Sequence, residues 1–305
     1  MNQLPVPAGL TFDTSILAGQ VGPSSIAMYT RDFKAYLDFA VTPENALLSS
    51  TLARWRTWLA NNTTMSPNTI NRMLSAVKRL MKEAAIQGYI SFECAESFRH
   101  VDGVKVAALK TRLRSHNKVK IEPELMRTII ESFDTSSLVG LRNKAMFTTL
   151  ASSGLRIHEL ATLRQDQIVK RAKGYLLIVR AEQGKNLIED REANISIEAV
   201  NAIKVWLAKR PVESEYIFTS FEVKGDSKPL TKSISSVGAW KVIRHVFEKH
   251  GLPNVKPHDL RRFVGTQLAR QDIRKAQKAL GHKRIETTTK YDLNEIEVGA
   301  TDHLF

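Results

Sequence analysis

Five side chains suited to binding an anion, moving a proton or attacking as a nucleophile stand at marked intervals in the second half of the chain. Arg156 follows a glycine in Ser153-Gly154-Leu155-Arg156-Ile157-His158-Glu159-Leu160. About a hundred positions later, His258 and Arg261 share Lys256-Pro257-His258-Asp259-Leu260-Arg261-Arg262. His282 closes Leu280-Gly281-His282, and Tyr291 comes nine positions after it, among threonines and cations. Taken singly, each has an ordinary explanation. An arginine after a glycine is usually a surface cation, and a tyrosine in a threonine-rich helix is usually a half-buried aromatic. A His-x-x-Arg pair puts two side chains on one helical face, which is common by chance. Taken together, they make Tyr291 a candidate reagent.

The composition says what such a set would act on. The 305 residues suffice for two ordinary domains, and the mixture of 43% hydrophobic and 25% charged residues is that of a globular protein. Lys and Arg number 45 against 31 Asp and Glu, a formal charge of +14. Such an excess suits a polyanion, because cations that neutralise nucleic-acid phosphates release counterions. Acidic lipid is the other candidate, but no apolar run is long enough to span a bilayer and no signal-peptide pattern stands out. The single cysteine, Cys94, leaves no intramolecular disulfide and fits a reducing compartment. The expectation is a cytoplasmic, nucleoid-associated protein with no membrane partner.

Several elements must position these residues. Residues 1–22 read as a flexible arm. Helical spacing begins at Pro23, and a second helix is expected over 46–62. The third is clearest, with Ser66 as N-cap, Pro67 in the first turn and Gly88 as the stop. Arg72, Ser75, Arg79 and Lys82 form one face of that helix, either a solvated basic face or a phosphate-contacting one. Residues 105–120 hold six Lys or Arg and no acid, which marks a linker; Lys110, Arg112 and Arg114 there are candidate phosphate contacts. From 121 onward, helices surround strand-like runs at 175–179 and 193–197. The fold class expected is mainly α with a small antiparallel sheet: arm 1–22, helical domain 23–104, linker 105–120, larger domain 121–305.

The order and spacing of the motifs, Gly-Leu-Arg-Ile-x-Glu-Leu, His-x-x-Arg, Leu-Gly-His and a tyrosine nine residues on, resemble the tyrosine recombinases, the family of phage integrases and Xer-type resolvases. The likeness spans almost the whole chain. Tyr-x-x-x-Phe-x-x-Tyr and Ser-x-Asn-Thr-Ile-x-Arg-x-Leu-Ser-Ala look like the family's core-binding domain. The resemblance implies that Arg156 and Arg261 clamp a scissile phosphate, that His258 and His282 assist, and that Tyr291 is the nucleophile. It also implies a lysine in a β-hairpin turn: Lys185 fits, Lys173 competes. Glu159 would orient a neighbouring cation. The chain departs from many relatives at Arg262-Phe263 after His-x-x-Arg and near Phe92-Glu93-Cys94, where an Asn-Pro is common.

The chemistry so implied is coherent. A phosphodiester repels nucleophiles, and fixed guanidinium forks on its non-bridging oxygens relieve that charge. No cofactor is then required: no carboxylate pair or Cys/His cluster has metal-ligand spacing, and there is no Walker loop. The implied partners are double-stranded DNA carrying a specific site, sister subunits in a homotetramer, and accessory proteins. The competing readings are a non-catalytic DNA-binding regulator or architectural protein, and type IB topoisomerase or telomere-resolvase activity.

Overall fold

A computed structural model describes residues 10–112, 121–180, 190–222 and 228–289, which fall into two compact units parted between 112 and 121. The first begins earlier than the arm assigned to 1–22 allows. Leu10, Phe12 and Leu17 are buried, and Asp13 accepts the Ser15 N–H at 2.7 Å to cap a 3₁₀ turn, Thr14–Leu17. The flexible arm is thus corrected from residue 10 onward, because its apolar side chains have a core to join.

That core is built by α1 (Pro23–Ala40), α2 (Pro43–Ala46), α3 (Ser49–Asn62), α4 (Pro67–Ile86) and α5 (Phe92–Arg99). Thr42 caps α2 by accepting the Asn45 N–H, and the chain breaks at Leu47-Leu48, so the helix expected over 46–62 is two. In α4 the Ser66 oxygen accepts the Thr69 N–H at 3.3 Å, and Ile70, Leu74, Val77 and Met81 are buried against Tyr36 and Trp55. The polar face of α4 is not uniform. Arg72 is tethered to Asp32, whose carboxylate is buried, while Ser75 bonds back to the Asn71 carbonyl at 2.8 Å. Arg79 and Lys82 remain exposed. Residues Val106–Arg112 form 3₁₀ turns kinked at Leu109, which packs on this core; Lys110 is exposed, Arg112 half-buried, and Arg114 lies outside the described residues.

The second unit starts with α6 (Pro123–Glu131), α7 (Leu138–Ser153) and α8 (Ile157–Ala161). A three-stranded antiparallel sheet follows, in the order β1 (Ile168–Arg171), β2 (Gly174–Val179), β3 (Arg191–Ile195). Arg171 faces Gly174, leaving Ala172-Lys173 as a two-residue turn, and Gly174 takes the φ of +136° that this turn needs. Val179 faces Arg191 at the other end. After α9 (Ile197–Lys209), β4 (Thr219–Phe221) and β5 (Pro229–Ser233) pair as a second, two-stranded ribbon beside the expected sheet. Arg142 of α7, buried, holds it by donating from Nη1 to the Thr219 carbonyl at 3.0 Å, with its guanidinium over the Phe221 ring. Helices α10 (Ser236–Lys249), α11 (Pro257–Ala269), α12 (Ile273–Leu280) and α13 (Ile285–Thr289) complete the unit. Phe147, Leu150, Trp206, Phe218, Phe247 and Leu260 are fully buried between them. Among the described residues no helix is long and apolar enough to cross a membrane.

Candidate active site

Two helices end alike. α7 stops at Gly154 (φ +62°) and α12 at Gly281 (φ +65°), both left-handed, a conformation that a side chain with Cβ resists. Beyond Gly154 the chain buries Leu155 and turns Arg156 outward; beyond Gly281 it presents His282. A Cβ on Gly154 would meet the Leu280 side chain at 3.0 Å and Val264 at 3.2 Å. The end of α7 is therefore seated directly against α11 and α12.

Arg261 locks this junction. It lies on α11 one turn after His258, is only 1% exposed, and donates from Nη1 to the Gly154 carbonyl at 2.7 Å and from Nη2 to the Leu280 carbonyl. His258 sits at the exposed first turn of the same helix, which Pro257 opens and Asp259 caps by accepting the Lys256 N–H at 2.9 Å. The arginine that the resemblance assigns to the phosphate is held beneath the surface, with two of its nitrogens on helix-end carbonyls.

Arg156 is 43% exposed at the side chain and leans on Glu159, with Nη1 to Oε1 at 2.9 Å and its backbone N–H to Oε2 at 2.7 Å. Glu159, 10% exposed, also accepts from Nη2 of Arg191 at 2.6 Å. Burial opposes its charge, but Arg191 and Arg156 outweigh that and hold the carboxyl below the usual range. Arg191 was not singled out in the sequence. The signal was there: Arg191 is in phase with the buried Ala193 and Ile195 of β3, so strand alternation turns it inward.

His282 donates or accepts at Nδ1 with the Thr288 hydroxyl, 3.0 Å away, and Thr288 is fully buried. Partial burial, followed by the positive fields of Arg261, Arg156 and Arg191 and by His258, lowers its pKa to about 4. His258 is lowered too, by desolvation and then by Arg262, Arg261 and Arg156. The predicted residues Arg156, Glu159, His258, Arg261 and His282 are thus gathered, with Arg191, into one cationic cluster whose histidines are neutral at pH 7. Such a cluster is built for an anion.

The sheet places Lys173, one of the two candidate lysines. Arg191 and Val179 mark the end of the sheet at the cluster, whereas Lys173 sits in the turn at the opposite end, five strand rises or about 17 Å away. Lys173 is therefore not part of the cluster. Lys185 and Tyr291 lie outside the described residues.

The phage integrase family matches residues 120–295, more than half of the chain. The chain belongs to the phage integrase family. This family member is 26% identical over 288 residues to tyrosine recombinase XerA of Thermococcus kodakarensis, covering 94% of this chain and 90% of that one. It is 23% identical over 278 residues to tyrosine recombinase XerD of Listeria monocytogenes, covering 88% and 87%. Its fold matches that of a XerH site-specific recombinase bound to a palindromic difH substrate, a post-cleavage complex, with a TM-score of 0.68 at 19% identity over 93% of this chain and 81% of that one. The integrase-type fold expected from the sequence, mainly helical with a small antiparallel sheet, is the observed one, with a second two-stranded sheet added.

The lowered histidines give a stability prediction. Between pH about 6.5 and about 4 the unfolded chain binds a proton at position 282 that the folded chain refuses, so stability falls as pH falls. His258 and, lower down, Glu159 act in the same sense. Replacing His282→Gln should make the decline of Tm across this window shallower. An unchanged decline would mean that His282 is not held neutral by the cluster.

Proposed function

We propose that the cluster holds the scissile phosphate of a specific DNA site and that Tyr291 attacks it, cleaving and rejoining strands without metal or ATP. The single observation that carries this reading is the convergence of Arg156, Arg261, His258 and His282 on one cationic spot in a chain of this family. The relatives' names support it, since the XerA and XerD proteins are called tyrosine recombinases.

In this reading Arg156, outermost of the guanidiniums, meets a non-bridging oxygen, and buried Arg261 sets the floor beneath it and adds its positive charge to the site. The phosphate's negative charge raises the pKa values of both histidines, which makes neutral His258 a stronger base and favours a hydrogen bond from His282 to the phosphate. The Tyr291 phenol, ordinarily near pKa 10, is drawn toward phenolate by the same cations, and His258 takes its proton. Attack forms the tyrosyl O–P bond and breaks the P–O5′ bond; Lys185 protonates the departing 5′ oxygen. The 3′-phosphotyrosine keeps the energy of the phosphodiester, so a 5′-hydroxyl of another strand reverses the step through a Holliday junction. Two strands at each of two sites require four active copies, a homotetramer on DNA, with accessory proteins setting the direction.

The decisive test is a nicked suicide substrate carrying the recombination site. The native sequence should form a covalent protein–DNA adduct and Tyr291→Phe none; an adduct of equal yield from Tyr291→Phe would remove Tyr291 as nucleophile.

The first unit supplies phosphate contacts by the same reading, and its structure ranks them. Arg72 is committed to Asp32, whereas Arg79 and Lys82 are exposed. Arg79→Gln and Lys82→Gln should each reduce the slope of log affinity against log salt by about one, and Arg72→Gln should chiefly lower thermal stability. A slope that stays put in the first two variants returns this face to solvent.

A further inference from the structure

Arg191 is the one charged member of the cluster that the family motifs do not name, and both of its terminal nitrogens are engaged. Its side chain is 11% exposed, one nitrogen bonds Glu159 at 2.6 Å, and the other bonds the Ala279 carbonyl at 2.5 Å. Its aliphatic stem fills the space over Gly281, where a Cβ would lie 2.5 Å from Cδ. Through Glu159 it reaches Arg156, which shares the same carboxylate; through Ala279 and Gly281 it grips the turn that presents His282. It does so from the first residue of β3, the strand that begins where the connection carrying Lys185 ends.

We infer that Arg191 is a positioning residue that sets the distance between Arg156 and His282 and ties both to the β2–β3 connection. The physical case is a division of labour between two arginines on one helix end. Arg261 takes the Leu280 carbonyl and Arg191 the Ala279 carbonyl, so the negative end of α12 is closed by two guanidiniums. Arg261 joins that end to α7; Arg191 joins it to β3 and to Glu159. A single planar fork suits the task because it meets a carboxylate and a carbonyl in different directions, which an ammonium on a flexible stem does not. Without Arg191, Glu159 keeps only Arg156 and pulls it toward a buried carboxylate, away from an incoming phosphate. A shift of about 1 Å in such a ligand is enough to cost roughly a hundredfold in rate.

The inference rests on the reaction proposed above, and two measurements keep the two apart. In the first, Arg191→Gln and Glu159→Gln are compared with the native chain for DNA affinity and for the rate of adduct formation at saturating DNA. Each variant should keep its dissociation constant within about twofold while the saturated rate falls about tenfold to a hundredfold, and the double variant should be no slower than the slower single one. Native rates in both, or a loss of affinity that accounts for the slowing, overturns the positioning role. In the second, the imidazole resonances of His282 are followed by NMR in the free protein. They should move in Arg191→Gln, while those of His245 on the exposed face of α10 stay fixed. Unmoved His282 resonances overturn the inference even if cleavage proceeds. A native chain that forms no adduct defeats the proposed reaction, and the NMR result then judges Arg191 alone.

Discussion

The site depends on one buried guanidinium. Arg261 is surrounded by core and donates to the carbonyls of Gly154 and Leu280, the ends of α7 and α12. Burying such a group without partners would cost several kcal/mol, so the two carbonyls and the arginine stabilise one another or none is tolerable. The consequence is geometric. Each helix ends in a left-handed glycine, and the residue that faces the cleft comes directly after, Arg156 two positions past Gly154 and His282 one past Gly281. Two sequence-distant motifs thereby become neighbours.

Charge follows from that arrangement. Arg156 and Arg191 share one buried carboxylate, Glu159, which balances only part of the charge that they and Arg261 bring. Desolvation first, and then that surplus, push His282 and His258 below their ordinary pKa. In the proposed reaction a bound phosphate offsets this positive charge, and the transition state, in which the phosphoryl oxygens carry more charge, benefits most.

Much of this was legible in the sequence, for identifiable reasons. Helix α4 could be bounded because Ser66, Pro67 and Gly88 punctuate it locally. The cluster could be listed because the order and spacing of the motifs that hold Arg156, His258, Arg261 and His282 resemble those of the tyrosine recombinases. What could not be read depends on contacts distant in sequence. Nothing at Leu47-Leu48 announces a break, because neither glycine nor proline stands there; the Thr42 cap decides it. The β4–β5 ribbon is short, its second strand begins with a proline, and it is held by Arg142 of α7. Leu10, Phe12 and Leu17 looked like part of a loose arm until a core existed for them. The depth of Arg261 and the ion pair of Arg72 with Asp32 belong to the same class.

The central claim is that exposed Arg156, mounted by this junction, neutralises charge on a non-bridging phosphate oxygen. It is tested most directly with a suicide substrate whose scissile phosphate is a methylphosphonate, which removes that charge and keeps the leaving oxygen. On the natural phosphate Arg156→Ala should slow adduct formation by roughly a hundredfold or more. On the methylphosphonate the same substitution should cost less than about tenfold, because there is little charge left to neutralise. An equal loss on both substrates would contradict the account and make Arg156 a docking residue.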